Sequence, residues 1–426
     1  VDSKTIDQTA YLFSLGRQTR GITISDMTLR GNRALHGAVY GNDCDALTMN
    51  NLRIERFIWS SIRTFRMDSA KIHDNEFVDA GGRYKHSGGA LFLTWTKHSE
   101  FWNNRILKTP EHTSGHFYGF KGRKADNCRF HHNTVTVNFS FEFPFENDAY
   151  VEIDHNYFTG VISIPKHAGG PVPENGYTFH IHHNYLSPSY AIEWPRNGAE
   201  GDRNLFDFTT ESDGGNLISG FSDAAAPGPV KFHNNLIKNP GRGVYWNNGV
   251  YNNYEFSNNH VIANKTTTPR KGGLFGFNKN CDFSTIVIRD NIFECTGLAR
   301  PLVRNAESCG AHIENNTLTN ISDTDCYSNT DTGAKRGPAE PLSFSVGVDE
   351  EYVVDGWNIT PRNATKIAGG TPADRIRTQP VAGNTSDWTR HTFDIRGRSI
   401  SRGKITGNTV LVTTHGHTVA RRFVMR

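Results

Sequence analysis

The sequence predicts an all-β protein built as a solenoid of stacked parallel strands, and three observations predict it. A short phrase, apolar-x-x-(Asn/His/Asp)-Asn-x-apolar, recurs from Asn51 to Asn316. Between its copies lie segments such as ALFLTW (90–95) and NLISGF (216–221) that alternate faces as half-buried strands do. No segment sustains apolar residues at i, i+3 and i+4 over the turns that a helix requires.

The phrase is carried by Asn51, Asn75, Asn104, Asn133, Asn156, Asn184, Asn204, Asn235, Asn259, Asn291 and Asn316. Its copies lie about 26 residues apart, a period at which one coil of a solenoid buries its face against the next. Leucine-rich repeats share that length but need L-x-x-L-x-L spacing and a helix, and neither is present. The Asn suits a tight turn because it tolerates the left-handed region. Its amide also matches the spacing of about 4.8 Å between coils, so it can bond the equivalent Asn above.

Together these features resemble the right-handed parallel β-helix superfamily of polysaccharide lyases and glycoside hydrolases, the pectate-lyase-like solenoids, over roughly residues 20–325. The resemblance implies a single-stranded right-handed parallel β-helix of about eleven or more coils. It also implies a polysaccharide substrate and a secreted, periplasmic or cell-surface location. Residues 1–326 are assigned to the solenoid and 327–426 to divergent last coils and a C-terminal cap, since an open solenoid end exposes pairing edges. The chain begins in strand pattern without a signal-peptide pattern, so any targeting segment or N-terminal cap is expected to have been removed.

Composition excludes several classes. Aromatic residues at 11% are too many for a disordered chain. No apolar run reaches the roughly 18–20 residues that span a bilayer, so no membrane partner is expected. The net charge of +3 is too mild for a nucleic-acid partner but suits an anionic glycan. Walker, Rossmann, GxSxG and HExxH motifs are absent, and no organic cofactor is expected. Of the six cysteines, Cys281, Cys295, Cys309 and Cys326 read equally as disulfides or as buried thiols.

The densest set of reactive side chains appears when three neighbouring strands are aligned on a shared proline: Phe141-Glu142-Phe143, Ile162-Ser163-Ile164 and Ile192-Glu193-Trp194. In that register Glu142, Ser163 and Glu193 face outward in one column. Beyond the prolines follow Lys166 and Arg196, then Glu146, His167 and Asn197, with Tyr118 and Lys121 on the preceding coil. A Gly/Pro-rich insertion, 167–176, adjoins them, where solenoids place binding loops.

Two chemistries fit this cluster. In β-elimination from a uronate, Lys166 or Tyr118 is the base, and Arg196 and His167 neutralise the carboxylate or protonate the leaving oxygen. Glu142, Glu146, Asn147 and Asp148 offer oxygen ligands for calcium, the cofactor that some β-helix lyases use. In inverting hydrolysis, Glu142 and Glu193, two coils or roughly 9–10 Å apart, are the carboxyl pair. A non-catalytic glycan-binding solenoid is the third reading. Trp95, Tyr245 and Arg270 are further substrate-binding candidates. His131, His132, His155, His180, His182, His183 and His233 are read as hydrogen-bonded turn histidines in preference to a metal array.

Overall fold

The computed structural model describes residues 11–81, 88–112, 117–141, 150–160, 162–163, 179–187, 192–193, 198–208, 216–219, 229–240, 243–246, 254–263, 274–276, 284–295, 303–304, 310–320, 331–332, 335–336, 342–348, 352–355, 358–361, 409–414 and 421–424. These residues form a parallel β-helix, with no helix among them. None therefore offers a helix long and apolar enough to cross a membrane.

One side of the solenoid is a parallel sheet whose unbroken path has eight strands. In order they are Tyr11–Leu15, Gly37–Asp45, Ser60–Asp68, Gly89–Lys97, Tyr118–Asp126, Asn138–Phe141, Ile162–Ser163 and Ile192–Glu193. A separate four-stranded sheet follows, from Asn216–Ser219 to Val303–Arg304. The unbroken first sheet is thus shorter than the eleven coils suggested by the asparagine phrase, although the asparagines stack without interruption.

The second sheet supplies two short strands per coil, one on each side of an asparagine. Cys128–His131 and Thr134–Val135, for example, flank Asn133. Asn75, Asn104, Asn133, Asn156, Asn184, Asn204, Asn235, Asn259, Asn291 and Asn316 are all buried. Each passes an amide hydrogen to the Oδ1 of the next, at 3.0 Å from Asn133 to Asn156 and again from Asn156 to Asn184. The bonding is complete at each level. Asn156 Oδ1 accepts both the backbone N–H and the side-chain N–H of Asn133, while Asn156 Nδ2 also donates to the Phe130 carbonyl.

The left-handed backbone belongs to the residue before the ladder. Asp74, Asn103, His132, His155, His183, Arg203, Asn234, Asn258, Asp290 and Asn315 all have φ between 49° and 56°. Turning and stacking are therefore divided between two adjacent residues. Asn51 falls in the turning place, with φ 52°, and in its coil the Leu52 N–H donates to Asn75 Oδ1. It stands one residue before the ladder that the sequence phrase assigns to it.

The bore is filled by rings that stack at the coil repeat. Phe101 and Phe130 lie parallel with centroids 4.5 Å apart, and Phe120 meets Phe130 edge-on at 5.2 Å. Beyond residue 326 the second sheet gains Asp331–Thr332 and Lys335–Arg336. Three antiparallel strands, Ser343–Val346, Tyr352–Asp355 and Asn358–Pro361, then follow. Val346 and Val354 join a flank cluster with Tyr185, Leu205, Leu236 and Ile262, and Tyr352 stacks on Tyr185 at 4.6 Å. Thr409–Thr414 pairs with the edge of Thr23–Arg30. Cys44 and Cys128 are buried free thiols; Cys281, Cys309 and Cys326, and the side chain of Cys295, lie outside the described residues.

Replacing a ladder amide strands the polar atoms above and below it in the core. Asn184→Ala is expected to lower unfolding stability by about 3–5 kcal/mol in urea titration. Asn103→Gly, at a left-handed position that glycine tolerates, should change it by less than about 1 kcal/mol.

Candidate functional site: a cationic, aromatic face on the first sheet

The outward residues of the first sheet form vertical columns. One column runs Tyr40, Arg63, Phe92 and Lys121, and by backbone register Ser140, Ser163 and Glu193 continue its line. The neighbouring column runs Asn42, Phe65, Thr94 and Arg123. At the bend of the same strands, Asp43, Arg66, Trp95 and Lys124 all hold left-handed backbone, with φ from 54° to 57°.

Cations and rings interleave across this surface. The guanidinium carbon of Arg63 lies 4.5 Å from the Trp59 ring centre and 5.2 Å from that of Phe92. Arg123 approaches Phe92 at 5.3 Å, while Lys121 Nζ approaches Phe92 at 5.8 Å and Tyr118 at 4.9 Å. Nearer the bend, Trp95 packs on Phe65 with Arg66 at 5.2 Å and Lys124 at 4.8 Å. Each contact of this kind contributes on the order of 0.5–2 kcal/mol, rising with desolvation.

Arg63 is the clearest case. Burial holds its pKa below the usual arginine value, with Arg123 acting in the same direction and Tyr11 and Tyr40 opposing it. The Tyr11 hydroxyl lies beside its guanidinium and interacts with it, while the Trp59 Nε1 is buried without a hydrogen-bond partner. Tyr11 is pushed up to about 12 by burial, against the pull of Arg63. Lys121, at 2% exposure, is also enclosed although it faces outward. A buried indole N–H left open beside gathered cations is a feature that an anionic, hydroxyl-rich ligand would satisfy.

Among the residues singled out by sequence, Tyr118, Lys121 and Trp95 belong to this face. Glu193 lies on the same column by register, and Tyr245 sits level with the buried Phe275. Lys166, Arg196, His167, Glu142, Glu146, Asn147, Asp148, Asn197 and Arg270 lie outside the described residues. The proline alignment itself needs correction. Phe139 pairs with Ile162, and Ser140 with Ser163 and through it with Glu193. The coil carrying Glu142 is therefore shifted by two residues, and Ser140 stands two coils from Glu193 in the column. Proline carries no N–H for the ladder, so it marks no common level.

The sequence reading missed Arg63, Phe92 and Arg123. Their signal is a constant offset: Arg63, Phe92 and Lys121 each lie twelve residues before the laddering Asn75, Asn104 and Asn133.

The second sheet also carries a charged outer face, but there the signs alternate. One column reads Lys71, Glu100, Arg129, Glu152, His180, Glu200, Lys231 and Glu255. Its neighbour contains His131, Asp154, His182, Asp202 and His233 in succession. Pairing runs diagonally: Arg129 to Asp154 at 2.9 Å, His180 to Asp202 at 2.8 Å and His233 to Glu200 at 2.9 Å. These histidines are strand residues. His132, His155 and His183 occupy the turn, stacked 5.0 and 4.9 Å apart.

No family model matches the sequence, and no curated protein matches it. Among solved structures, a PL6-family alginate lyase, in mutant form, is similar over 84% of this chain at 13% identity and a TM-score of 0.42. The chain spans 56% of that protein. The lidless DFA-IIIase from Arthrobacter chlorophenolicus in complex with GF2 is similar over 72% of each chain, at 12% identity and a TM-score of 0.37.

The alternating face has a consequence for acid stability. Burial raises the Glu255 pKa, but the hydrogen bonds from Arg289 and Ser257 and the Arg289 charge outweigh it and hold the carboxyl low. Glu55 is held low in the same way by Arg53 and Arg30. A lowered carboxyl stabilises the fold above its unfolded value, near pH 4, and loses that contribution as the pH falls through its folded value. Arg289→Gln should therefore lower the melting temperature at pH 6 and leave it nearly unchanged at pH 2.5.

Proposed function

We propose that the protein binds and depolymerises an anionic, uronate-containing polysaccharide along the outward face of its first sheet, by β-elimination, outside the cytoplasm. The observation that carries this reading is the grouping of Arg63, Lys121 and Arg123 around Phe92, beside the buried indole N–H of Trp59. A polyanion laid along the solenoid axis would meet these levels on successive coils, about 4.8 Å apart.

Elimination breaks the bond between the carbon alpha to the carboxylate and its hydrogen, then the bond from the beta carbon to the glycosidic oxygen. Negative charge accumulates on the carboxylate during the first event, so cations fixed beside it lower the barrier. Arg63, Lys121 and Arg123 supply that charge in this reading, and the rings of Phe92, Trp59 and Trp95 hold the sugar faces. Tyr118, against Lys121, or Lys166 takes the proton, and Arg196 or His167 returns one to the departing oxygen. Calcium at Glu142, Glu146, Asn147 and Asp148 would add to the neutralisation. Inverting hydrolysis by Glu142 and Glu193 is less favoured, because the observed register puts Ser140 in the column where that pair needs Glu142.

The test is absorbance at about 235 nm, which reports the unsaturated product, alongside a reducing-end assay on a panel of uronate glycans. Both signals should rise. Arg63→Ala should reduce kcat/KM by about 100-fold with the fold intact, and Lys166→Ala should abolish turnover if Lys166 is the base. Reducing ends without absorbance would replace elimination by hydrolysis, and silence in both assays would leave a glycan-binding solenoid. Loss of activity in EDTA, restored by calcium, would establish the metal.

A further inference from the structure

The pair His180 and His182 is distinctive on the second sheet. Neighbouring basic strands combine one imidazole with a permanent cation, as in Arg129 with His131 and Lys231 with His233. Here both outward places of one strand are imidazoles, with ring centres 4.2 Å apart. The coil below offers Glu152, whose carboxylate lies 3.1 Å from His182 Nε2. One donor atom from each of Glu152, His180 and His182 lies within 4.8 Å of the others. We propose that these three side chains form a binding site for a divalent transition-metal ion such as Zn2+.

The separations suit such an ion. Ligands at 2.0–2.1 Å from tetrahedral zinc stand roughly 3.3 Å from one another. The Glu152–His182 pair already meets that spacing, so only the His180 ring has to close in. Two imidazoles and one carboxylate favour zinc, copper or nickel over calcium or magnesium, which prefer oxygen donors. Side-chain exposures of 25% for Glu152, 29% for His180 and 12% for His182 leave an entry path and room for water as a further ligand.

The surrounding hydrogen bonds prepare the rings. Asp202 holds His180 Nε2 at 2.8 Å, which directs Nδ1 to the metal and provides the carboxylate–histidine support typical of zinc sites. His182 Nδ1 lies 2.8 Å from His183 Nδ1, and one of the two must donate. When His182 donates through Nδ1, its Nε2 presents a lone pair on the side of Glu152, where the metal would sit.

The site has a structural role to match. Glu152 lies on Val151–Asp154 and the histidines on Phe179–His182, in adjacent coils. The chain between them includes the Gly/Pro-rich sequence 167–176. A metal bridging the two strands would tie adjacent coils together across that insertion and lower the entropy cost of closing it.

The test is calorimetric titration of the full chain with Zn2+ alone, together with Co2+ absorption and Cu2+ paramagnetic resonance. One equivalent should bind, with the resonance spectrum showing two nitrogen donors, and the melting temperature should rise by a few degrees. His180→Gln, His182→Gln and Glu152→Gln should each weaken binding about tenfold or more, while His233→Gln should retain it. Failure to bind zinc would overturn the proposal. So would binding that survives the double His180→Gln, His182→Gln change, or a wild-type spectrum without two nitrogen donors.

Discussion

Everything in this molecule is referred to the asparagine ladder. Ten side-chain amides stand in line inside the corner of the second sheet, joined in succession from Asn75 to Asn316 by amide–amide hydrogen bonds. An amide that is half-bonded in an apolar core costs more than an apolar residue would. One coil therefore fixes the level of the next. This explains how coil lengths can vary, with laddering partners separated by 20 residues in one case and 32 in another, while the stack stays in step. Extra residues are expelled into loops between fixed levels, and the ladder makes insertions tolerable.

The ladder also determines what the outer faces can do. Side chains one coil apart are brought to about 4.8 Å whatever their separation in sequence. On the second sheet the chain uses this to alternate acids and bases, so each charge finds an opposite neighbour. Such exposed pairs individually contribute little, typically under about 1 kcal/mol. Their combined effect is to cancel like-charge repulsion that would otherwise recur at every level. The same spacing, applied to Arg63, Phe92 and Lys121, gathers cations and rings instead.

Much of the architecture is legible from sequence because the ladder demands one residue type at one place. The phrase around Asn133 or Asn235 identifies corner, strand and coil at once. It misleads at Asn51 because turning and stacking use adjacent residues and asparagine serves both: in Met49-Asn50-Asn51-Leu52 the turning place holds Asn51 and the stacking place holds Leu52. The outer columns are much less legible. Arg63 reads singly as a solvated strand residue, and only a register counted back from the ladder makes it a neighbour of Lys121. The proline alignment supplied a different origin and shifted one coil by two residues. That slip preserves which side chains face outward, since strand parity repeats every two residues, but it changes which of them meet.

A net charge of +3 conceals this division of the surface. The bulk of the ionised groups on the second sheet belong to alternating pairs and produce little field beyond their own neighbourhood, particularly at physiological salt. The cations around Phe92 lie on another side of the solenoid, partly screened from water by aromatic rings, and their field is weakened less by solvent. A mild overall charge can therefore coexist with a strongly cationic strip. What would matter for a polyanion is how its repeat meets that strip: four successive coils place Tyr40, Arg63, Phe92 and Lys121 at the same lateral position. Affinity built in this way grows with the number of levels engaged, so a polymer lying along the axis gains more from the face than a single sugar can.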